Sequence, residues 1–240
     1  PIAAYKVLGR IDTPPVSDLP FFGRESVIAD LTRRYLGRQS GSSLGVTLTG
    51  PPGIGKTRVA TAFLDRLRRF PEFETPVLYA RARRFRRSTF TVIRDLIQSG
   101  LGLGADADTK GVIERVTART SLSREDAERF GRLYGGKEPE EKQESRTFLL
   151  LYTILEELCG KASAQYPPIL FVDNLHHIDR QSEDFLAFFF QNSESRPFVL
   201  ATSRSEHALE LPVFRETDRI AIAPLEREEG RQLMHYQLRE

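Results

Sequence analysis

The chain has 240 residues, 40% of them apolar, which suffices for a substantial hydrophobic core and argues against a disordered chain. Its net charge of +2 gives no global reason to expect a nucleic-acid partner. The single cysteine, Cys159, excludes an internal disulfide and a cysteine-based zinc site, so a reducing, cytoplasmic setting is favoured. No apolar run approaches the roughly 18 residues that span a bilayer, and we expect no membrane partner.

The beginning of the chain predicts a linker, a helix and a strand. Residues 1–20 contain four prolines and few periodic apolar positions, which favours a linker or the tail of an upstream domain. An apolar stripe at helical spacing predicts a helix from 25 to about 38, and a β-branched run predicts a buried strand at Leu44–Thr49. Apolar residues at helical spacing then predict an amphipathic helix after residue 57.

Between this strand and this helix, eight residues fit the phosphate-binding pattern G-x-x-x-x-G-K-[ST] at every specified position. They are Gly50, Pro51, Pro52, Gly53, Ile54, Gly55, Lys56 and Thr57. Glycines let backbone N–H groups wrap a phosphate chain, and the helix that follows points the positive end of its dipole at the same anion. We therefore expect Lys56 to reach the β- and γ-phosphates of ATP or ADP, and Thr57 to ligate Mg²⁺.

The rest of the chain alternates predicted strands with predicted helices. Apolar runs predict strands at 76–80, 168–173 and 197–202, and helical patterns cover 90–97, 141–164 and 181–190. A polar helical pattern at 108–136 predicts a peripheral segment. Such alternation predicts an α/β fold with a doubly wound parallel sheet, helices on both faces and ligands at the carboxyl ends of the strands.

Two residues at the ends of predicted strands are candidates for the chemistry. Asp173 ends the run at 168–173 and is expected to hold the phosphate-bound Mg²⁺, although it could also cap the next helix. Arg204 follows the run at 197–202, where a guanidinium could sense a γ-phosphate. The alternative for Arg204 is a surface arginine on a loop.

Position 174 bears on hydrolysis, because NTPases of this architecture often carry there a second acid that polarises the attacking water. This chain has Asn174, and an amide cannot accept a proton at neutral pH. We therefore expect slow or absent hydrolysis. Asp179 could serve as a substitute base, but its favoured role is to cap the helix that begins near Gln181.

Two polar clusters have plain alternatives to a functional role. Residues 81–87 include five arginines, which could bind nucleic acid, an anionic partner or another subunit's nucleotide, but most such runs form a solvated face. The adjacent His176 and His177 project in different directions, and no further residue at metal-ligand spacing accompanies them, so a loop role is favoured.

Four motifs in this order resemble the STAND class of AAA-type signalling ATPases over about residues 21–240. They are FFGRE at 21–25, the octet, ILFVDNLHHID at 169–179 and LATSR at 200–204. The resemblance implies a P-loop NTPase core at 21–220 and the beginning of a helical lid at 221–240. Two departures from the family pattern are Asn174, in place of the second acid, and His177, in place of a tryptophan.

The resemblance also implies roles for individual residues. Phe22, Gly23 and Arg24 would lie near the adenine and ribose. Arg58 and Pro224 would also belong to the nucleotide site, Pro224 by packing on the base. The catalytic set would be Lys56, Asp173, Asn174 and Arg204, the last as the sensor arginine.

The function that the resemblance implies is a signalling switch that binds ATP or ADP with Mg²⁺, hydrolyses ATP slowly and regulates an effector domain in the same chain. Residues 4–10 resemble the last strand of class III adenylate or guanylate cyclase domains, so the effector could be a cyclase, with a kinase or a helix-turn-helix region as alternatives. Nucleotide-dependent self-association is a further expectation. Two other functions stay open: a DNA-acting, initiator-like AAA-type ATPase that uses residues 81–87, and a scaffold that binds nucleotide without hydrolysing it.

Overall fold

The computed structural model describes residues 20–37, 44–70, 73–84, 89–104, 107–136, 144–160, 166–204 and 218–238. The predicted linker up to residue 19 and the cyclase-like strand at 4–10 lie outside the described residues, as do positions 85–87 of the arginine-rich run.

The helices and strands alternate as the sequence predicts. The helices are α1 (Glu25–Leu36), α2 (Lys56–Leu67), α3 (Thr91–Gly100), α4 (Thr109–Arg119), α5 (Arg124–Tyr134), α6 (Glu144–Cys159), α7 (Arg180–Asn192) and α8 (Arg227–Gln237). The strands are β1 (Leu44–Thr49), β2 (Val77–Arg81), β3 (Ile169–Asp173), β4 (Phe198–Ser203) and β5 (Arg219–Ala221). The polar segment at 108–136 is a pair of helices, α4 and α5, and the hydroxyl of Ser123 caps the second by accepting from the backbone N–H of Asp126.

The five strands form one parallel sheet in the order β2-β3-β4-β1-β5. This confirms the predicted parallel α/β fold. Since β4 lies between β1 and β3, the strand that leads into residues 50–57 does not neighbour the strand that ends at Asp173. The carboxyl ends of all five strands nevertheless meet at one edge of the sheet, where the predicted site residues lie.

Helices cover both faces of the sheet, because successive residues of a strand point to opposite sides. On one face, Ile169 and Phe171 of β3 pack with apolar residues of α1 and α2. On the other face, Leu170 and Val172 pack with residues of α3, α4, α5, α6 and α7. Burial on both sides explains why β3 reads as a continuous apolar run in the sequence.

Candidate functional site

Residues 50–57 form a loop between the end of β1 and the first turn of α2. Gly50, Gly53 and Gly55 adopt φ angles of +150°, +77° and +99°, which residues with a side chain rarely adopt. A Cβ atom added at Gly53 would meet no atom within 4 Å, so the backbone conformation rather than crowding favours glycine there. Because α2 begins at Lys56, the N-terminus of this helix faces the loop.

The ammonium group of Lys56 folds back onto this loop. Its Nζ donates hydrogen bonds of 2.9 Å to the carbonyl oxygens of Gly50 and Pro51, and the residue is 8% exposed. Burial lowers the pKa of Lys56, the charge of Asp173 acts in the opposite direction, and Arg204 lowers this pKa further. A phosphate oxygen would offer the cation a charged acceptor in place of two neutral ones.

Thr57 of α2 and Asp173 of β3, the two predicted Mg²⁺ ligands, lie in contact although β4 separates β1 from β3. The Thr57 hydroxyl donates a 2.8 Å hydrogen bond to Oδ1 of Asp173, and the Thr202 hydroxyl of β4 donates a 2.6 Å bond to the same oxygen. The Asp173 side chain is buried, with 1% exposure. Hydroxyl and carboxylate oxygens are ligands that Mg²⁺ accepts, so this pair fits the ion when nucleotide phosphates complete its shell.

Arg81 lies beside the same carboxylate, although the sequence does not single it out as a site residue. It ends β2 directly opposite Asp173, and its Nε lies 3.5 Å from Oδ2 of Asp173. The Arg81 side chain is 55% exposed, so the ion pair extends from a buried carboxylate to solvent. The signal that could have identified Arg81 is its place at the carboxyl end of a predicted strand.

Asn174 follows Asp173 in the left-handed backbone conformation, with φ 59° and ψ 43°. Asparagine adopts this conformation more readily than most residues with a side chain. The backbone N–H of Asn174 donates a 2.8 Å hydrogen bond to the Thr202 hydroxyl, which thereby links the ends of β3 and β4. The residue that replaces the second acid is thus held in place by its backbone.

Asp179 caps two helices at once, which confirms its predicted capping role. Its carboxylate accepts hydrogen bonds from the backbone N–H and the hydroxyl of Ser182, in the first turn of α7. It also accepts from the backbone N–H groups of Phe90 and Thr91, and from the Thr91 hydroxyl, at the start of α3. Because a carboxylate has about four acceptor sites, these bonds leave Asp179 unsuited to act as a substitute base.

The end of β4 brings Ser203 and Arg204 to the same edge. Ser203 is 1% exposed, and in the part of the chain that the structure describes its hydroxyl has no hydrogen-bond partner. A buried hydroxyl without a partner costs free energy that a ligand oxygen would recover. Arg204 is exposed, and its charge lowers the pKa of Lys56.

Arg24, which precedes α1, lies against the loop. Its Nη1 is 2.8 Å from the position that a Cβ atom would take on Gly55. Burial lowers the pKa of Arg24, whereas the charge of Glu229 raises it. The buried Nε of Arg24 has no hydrogen-bond partner among the residues described, so this guanidinium keeps a donor for a further acceptor.

The first turns of α8 contact the same N-terminal segment. Gly23 has a φ of +72°, and a Cβ atom there would collide with the carboxylate of Glu229. That carboxylate accepts a 3.4 Å hydrogen bond from the backbone N–H of Arg24. The rings of Phe22 and of Tyr236 in the last turn of α8 pack in a tilted arrangement with centroids 6.1 Å apart. The three residues expected at the adenine and ribose therefore connect the loop to α8.

Arg58 and Pro224, the other residues expected at the nucleotide, lie in α2 and on the connection that leads into α8. Arg58 follows the loop, and its Nη2 donates a 3.1 Å hydrogen bond to the carbonyl of Pro20. A cavity of about 300 Å³ between α1 and α2 is lined by Arg58, Phe21 and Ile28, among others. Pro224 is exposed on the connection between β5 and α8.

Neither a cluster of metal-binding side chains nor a helix suited to crossing a membrane occurs in the described ranges. His176 and His177 lie in a single 3₁₀ turn, Leu175–His177, with ring centroids 4.1 Å apart. No three His, Cys, Asp or Glu side chains of the described chain group together in a way that could hold a metal ion. Its helices also lack the combination of length and apolar character that a bilayer requires.

The AAA ATPase domain family matches residues 20–201 of this chain. Among solved structures, the chain is similar to Cdc6p from Pyrobaculum aerophilum, with a TM-score of 0.54 and 15% identity over 95% of this chain and 52% of that one. It is also similar to Drosophila ORC bound to DNA, with a TM-score of 0.51 and 16% identity over 94% of this chain and 48% of that one.

A STAND protein with a tetratricopeptide repeat sensor from Pyrococcus horikoshii matches with a TM-score of 0.48 and 15% identity, over 95% of this chain and 27% of that one. At these identities, the likeness to Cdc6p and ORC shows the fold alone. The chain spans about half the length of each of those two structures. Among curated proteins, no sequence matches this chain significantly.

Proposed function

Because this chain belongs to the family of AAA ATPase domains, we propose that it is a switch that binds ATP or ADP with Mg²⁺ and regulates an effector domain in the same chain. ATP hydrolysis by this site is slow. The observation that carries the proposal is the contact between Thr57 and Asp173 beside a glycine-supported loop. It joins a cradle for phosphates to two oxygen ligands for the metal.

The loop residues would hold the phosphate chain. Lys56 would exchange the carbonyl oxygens of Gly50 and Pro51 for the β- and γ-phosphates, because a charged acceptor forms the stronger hydrogen bond. Thr57 and Asp173 would hold Mg²⁺, which supplies positive charge that offsets the charge of the phosphates.

Two residues at the end of β4 would detect the γ-phosphate. A phosphate oxygen near β4 would satisfy the buried hydroxyl of Ser203, which has no hydrogen-bond partner within the described ranges. The exposed guanidinium of Arg204 is close enough to influence Lys56, which supports a shared anionic ligand for the two cations. The second observation favours the sensor role of Arg204.

The remaining residues favour holding a nucleotide over consuming it. Asn174 cannot take a proton from water, and Asp179 is engaged by hydrogen bonds at the starts of α3 and α7. Among the described residues, the site then lacks an evident general base, a group that typically contributes about 10²–10⁴-fold to a rate. We therefore propose that a bound nucleotide stays in the site for a long time before it is hydrolysed.

The contacts of α8 support coupling between the nucleotide and an effector. Arg24 approaches the loop at Gly55, and its backbone donates to Glu229 of α8. A nucleotide that moves Arg24 would therefore change how α8 is held, which is the kind of two-state element that a switch needs. A cyclase, a kinase or a helix-turn-helix region is the proposed effector, and nucleotide-dependent self-association belongs to the same proposal.

Nucleotide binding is tested by thermal denaturation and calorimetric titration with ATP and with ADP, in Mg²⁺ and in EDTA. A ligand at a hundred times its Kd adds about 2.7 kcal/mol of stability, so we expect a clear rise in melting temperature. Lys56→Ala should abolish this rise, whereas Lys110→Ala, which removes an exposed lysine of α4, should leave it unchanged. A wild-type protein whose melting temperature responds to neither nucleotide contradicts the proposal.

The same preparations distinguish the two alternatives. Binding of duplex DNA that weakens steeply with salt would favour a DNA-acting AAA-type ATPase. ADP that co-purifies, does not exchange and is accompanied by no phosphate release from ATP would favour a scaffold without hydrolysis. Mass spectrometry of the denatured protein identifies a co-purified nucleotide directly.

A further inference from the structure

The sheet itself holds Arg81 beside Asp173. The two residues are paired in register at the ends of β2 and β3, and the backbone N–H of Ala82 donates a 2.9 Å hydrogen bond to the Asp173 carbonyl. In the described sheet β2 is an edge strand, so the half-exposed Arg81 side chain has solvent on its outer side. The backbone of Arg81 is therefore held next to the carboxylate, while its side chain extends into solvent.

The two carboxylate oxygens of Asp173 have different partners. Oδ1 accepts hydrogen bonds from the hydroxyls of Thr57 and Thr202, whereas Oδ2 lies 3.5 Å from Nε of Arg81. A Mg²⁺ ion bound to Thr57 and Asp173 would bring two positive charges close to the guanidinium. The positive charges of the ion and of the guanidinium would repel one another at close range, even where water screens them.

We propose that Arg81 competes with Mg²⁺ for Asp173 and thereby raises the Mg²⁺ concentration at which the nucleotide site fills. This inference rests on the proposed function, because it concerns the same two metal ligands. When the ion binds, the guanidinium turns into solvent, which its long and half-exposed side chain permits. Arg81 therefore acts on the metal through Asp173, without a direct contact to the nucleotide.

The proposal also separates Arg81 from the rest of the arginine-rich run at 81–87. Its guanidinium contacts the predicted metal ligand, whereas Arg84 lies three residues further along the run and is exposed. Replacing either residue removes one positive charge from the same segment. A difference between the two replacements therefore reports the contact with Asp173 rather than the general charge of the run.

The test measures the Mg²⁺ concentration that half-saturates stabilisation of the protein by a fixed concentration of ADP. We expect Arg81→Gln to lower this concentration about two- to five-fold, the range that partly exposed ion pairs are worth. Arg81→Lys keeps the charge and should stay close to wild type. Arg84→Gln, the matched control, should not shift the Mg²⁺ midpoint. In EDTA, the ADP affinity of Arg81→Gln should depart from that of the wild-type protein no more than the affinity of Arg84→Gln does.

An Arg81→Gln protein with the Mg²⁺ midpoint of Arg84→Gln overturns the inference. A higher midpoint overturns it as well, because Arg81 would then help to orient Asp173 for the metal. Arg81→Ala provides a second variant, with the same expected shift, if the glutamine variant does not fold. If the wild-type protein shows no Mg²⁺-dependent stabilisation by ADP, the proposed function fails, and this inference fails with it.

Discussion

At position 174 the backbone restricts the choice of side chain. The left-handed conformation costs most residues roughly 1–2 kcal/mol, whereas Asn and Asp adopt it more readily. Asn174 therefore suits its φ of 59° while removing the proton acceptor that an acid would supply. Aspartate would suit the same backbone and restore that acceptor.

We expect Asn174→Asp to hydrolyse ATP at least about ten-fold faster than the wild-type protein, since a positioned general base contributes about 10²–10⁴-fold. Phosphate release at saturating Mg²⁺ and ATP measures this rate. Asn174→Ala is the control, because alanine offers no proton acceptor. Equal rates in the aspartate and alanine variants would show that position 174 does not limit hydrolysis.

Tyr79 of β2 makes stability sensitive to alkaline pH. The pKa of Tyr79 is raised from 10.0 to about 12, chiefly by burial and also by the charge of Asp173, whereas the charge of Arg81 acts in the opposite direction. Between these values the unfolded chain has lost the phenol proton while the folded chain retains it. The unfolded state then binds fewer protons, so the free energy of unfolding falls as pH rises through this window.

We expect the wild-type protein to lose up to about 3 kcal/mol more stability than Tyr79→Phe between pH 10 and 12, at 1.36 kcal/mol per pKa unit. Urea denaturation at several pH values measures the difference. All other tyrosines are present in both proteins and contribute equally to both curves. Parallel curves over this range would mean that Tyr79 ionises as readily in the folded protein as in the unfolded one.

At the scale of elements, Asp179 ties the starts of α3 and α7 together. We expect Asp179→Ala to lower the free energy of unfolding by about 1–4 kcal/mol, because losing one helix cap costs about 0.5–2 kcal/mol and this residue serves two helices. Chemical denaturation measures the loss. Asp108→Ala is the matched control, since Asp108 caps α4 alone. A cost no larger than that of the control would refute the double role.

Elements were predictable where their apolar pattern is continuous. Strand β1 is found at the predicted Leu44–Thr49, and β3 and β4 begin and end within one residue of their predictions, because both of their faces are buried. The short strand β5 has no such signal. It has three residues, of which Arg219 and Ala221 are exposed, and no apolar run marks it in the sequence.

At the scale of the whole molecule, the sequence predicts several residues of the candidate site but not the contacts between them. The pattern at 50–57 and the acid at a strand end identify Lys56, Thr57 and Asp173. The ion pair of Arg81 depends on β2 lying next to β3, and strand order leaves no signal in the spacing of one sequence. The hydrogen bond from Arg24 to Glu229 spans 205 residues, a separation that only tertiary packing closes.

The connection between the core and α8 can be tested at Gly23. We expect Gly23→Ala to displace Glu229, because the added Cβ atom would collide with its carboxylate and the φ of +72° disfavours alanine. Hydrogen exchange should then show faster exchange of the α8 amides. Gly230→Ala places its Cβ atom in open space on α8 and should slow that exchange. Unchanged protection in Gly23→Ala would show that α8 does not depend on this contact.

The position of β4 has a mechanical consequence. Strand β4 is hydrogen-bonded to β1 on one side and to β3 on the other. The distance between β1 and the strand that carries Asp173 is therefore fixed at two strand spacings, roughly 10 Å. A larger distance would break the backbone hydrogen bonds of β4 to β1, to β3 or to both. A bound nucleotide is therefore expected to leave the sheet undeformed, and any displacement that it causes should appear in residues 22–24 and α8, which no ladder restrains.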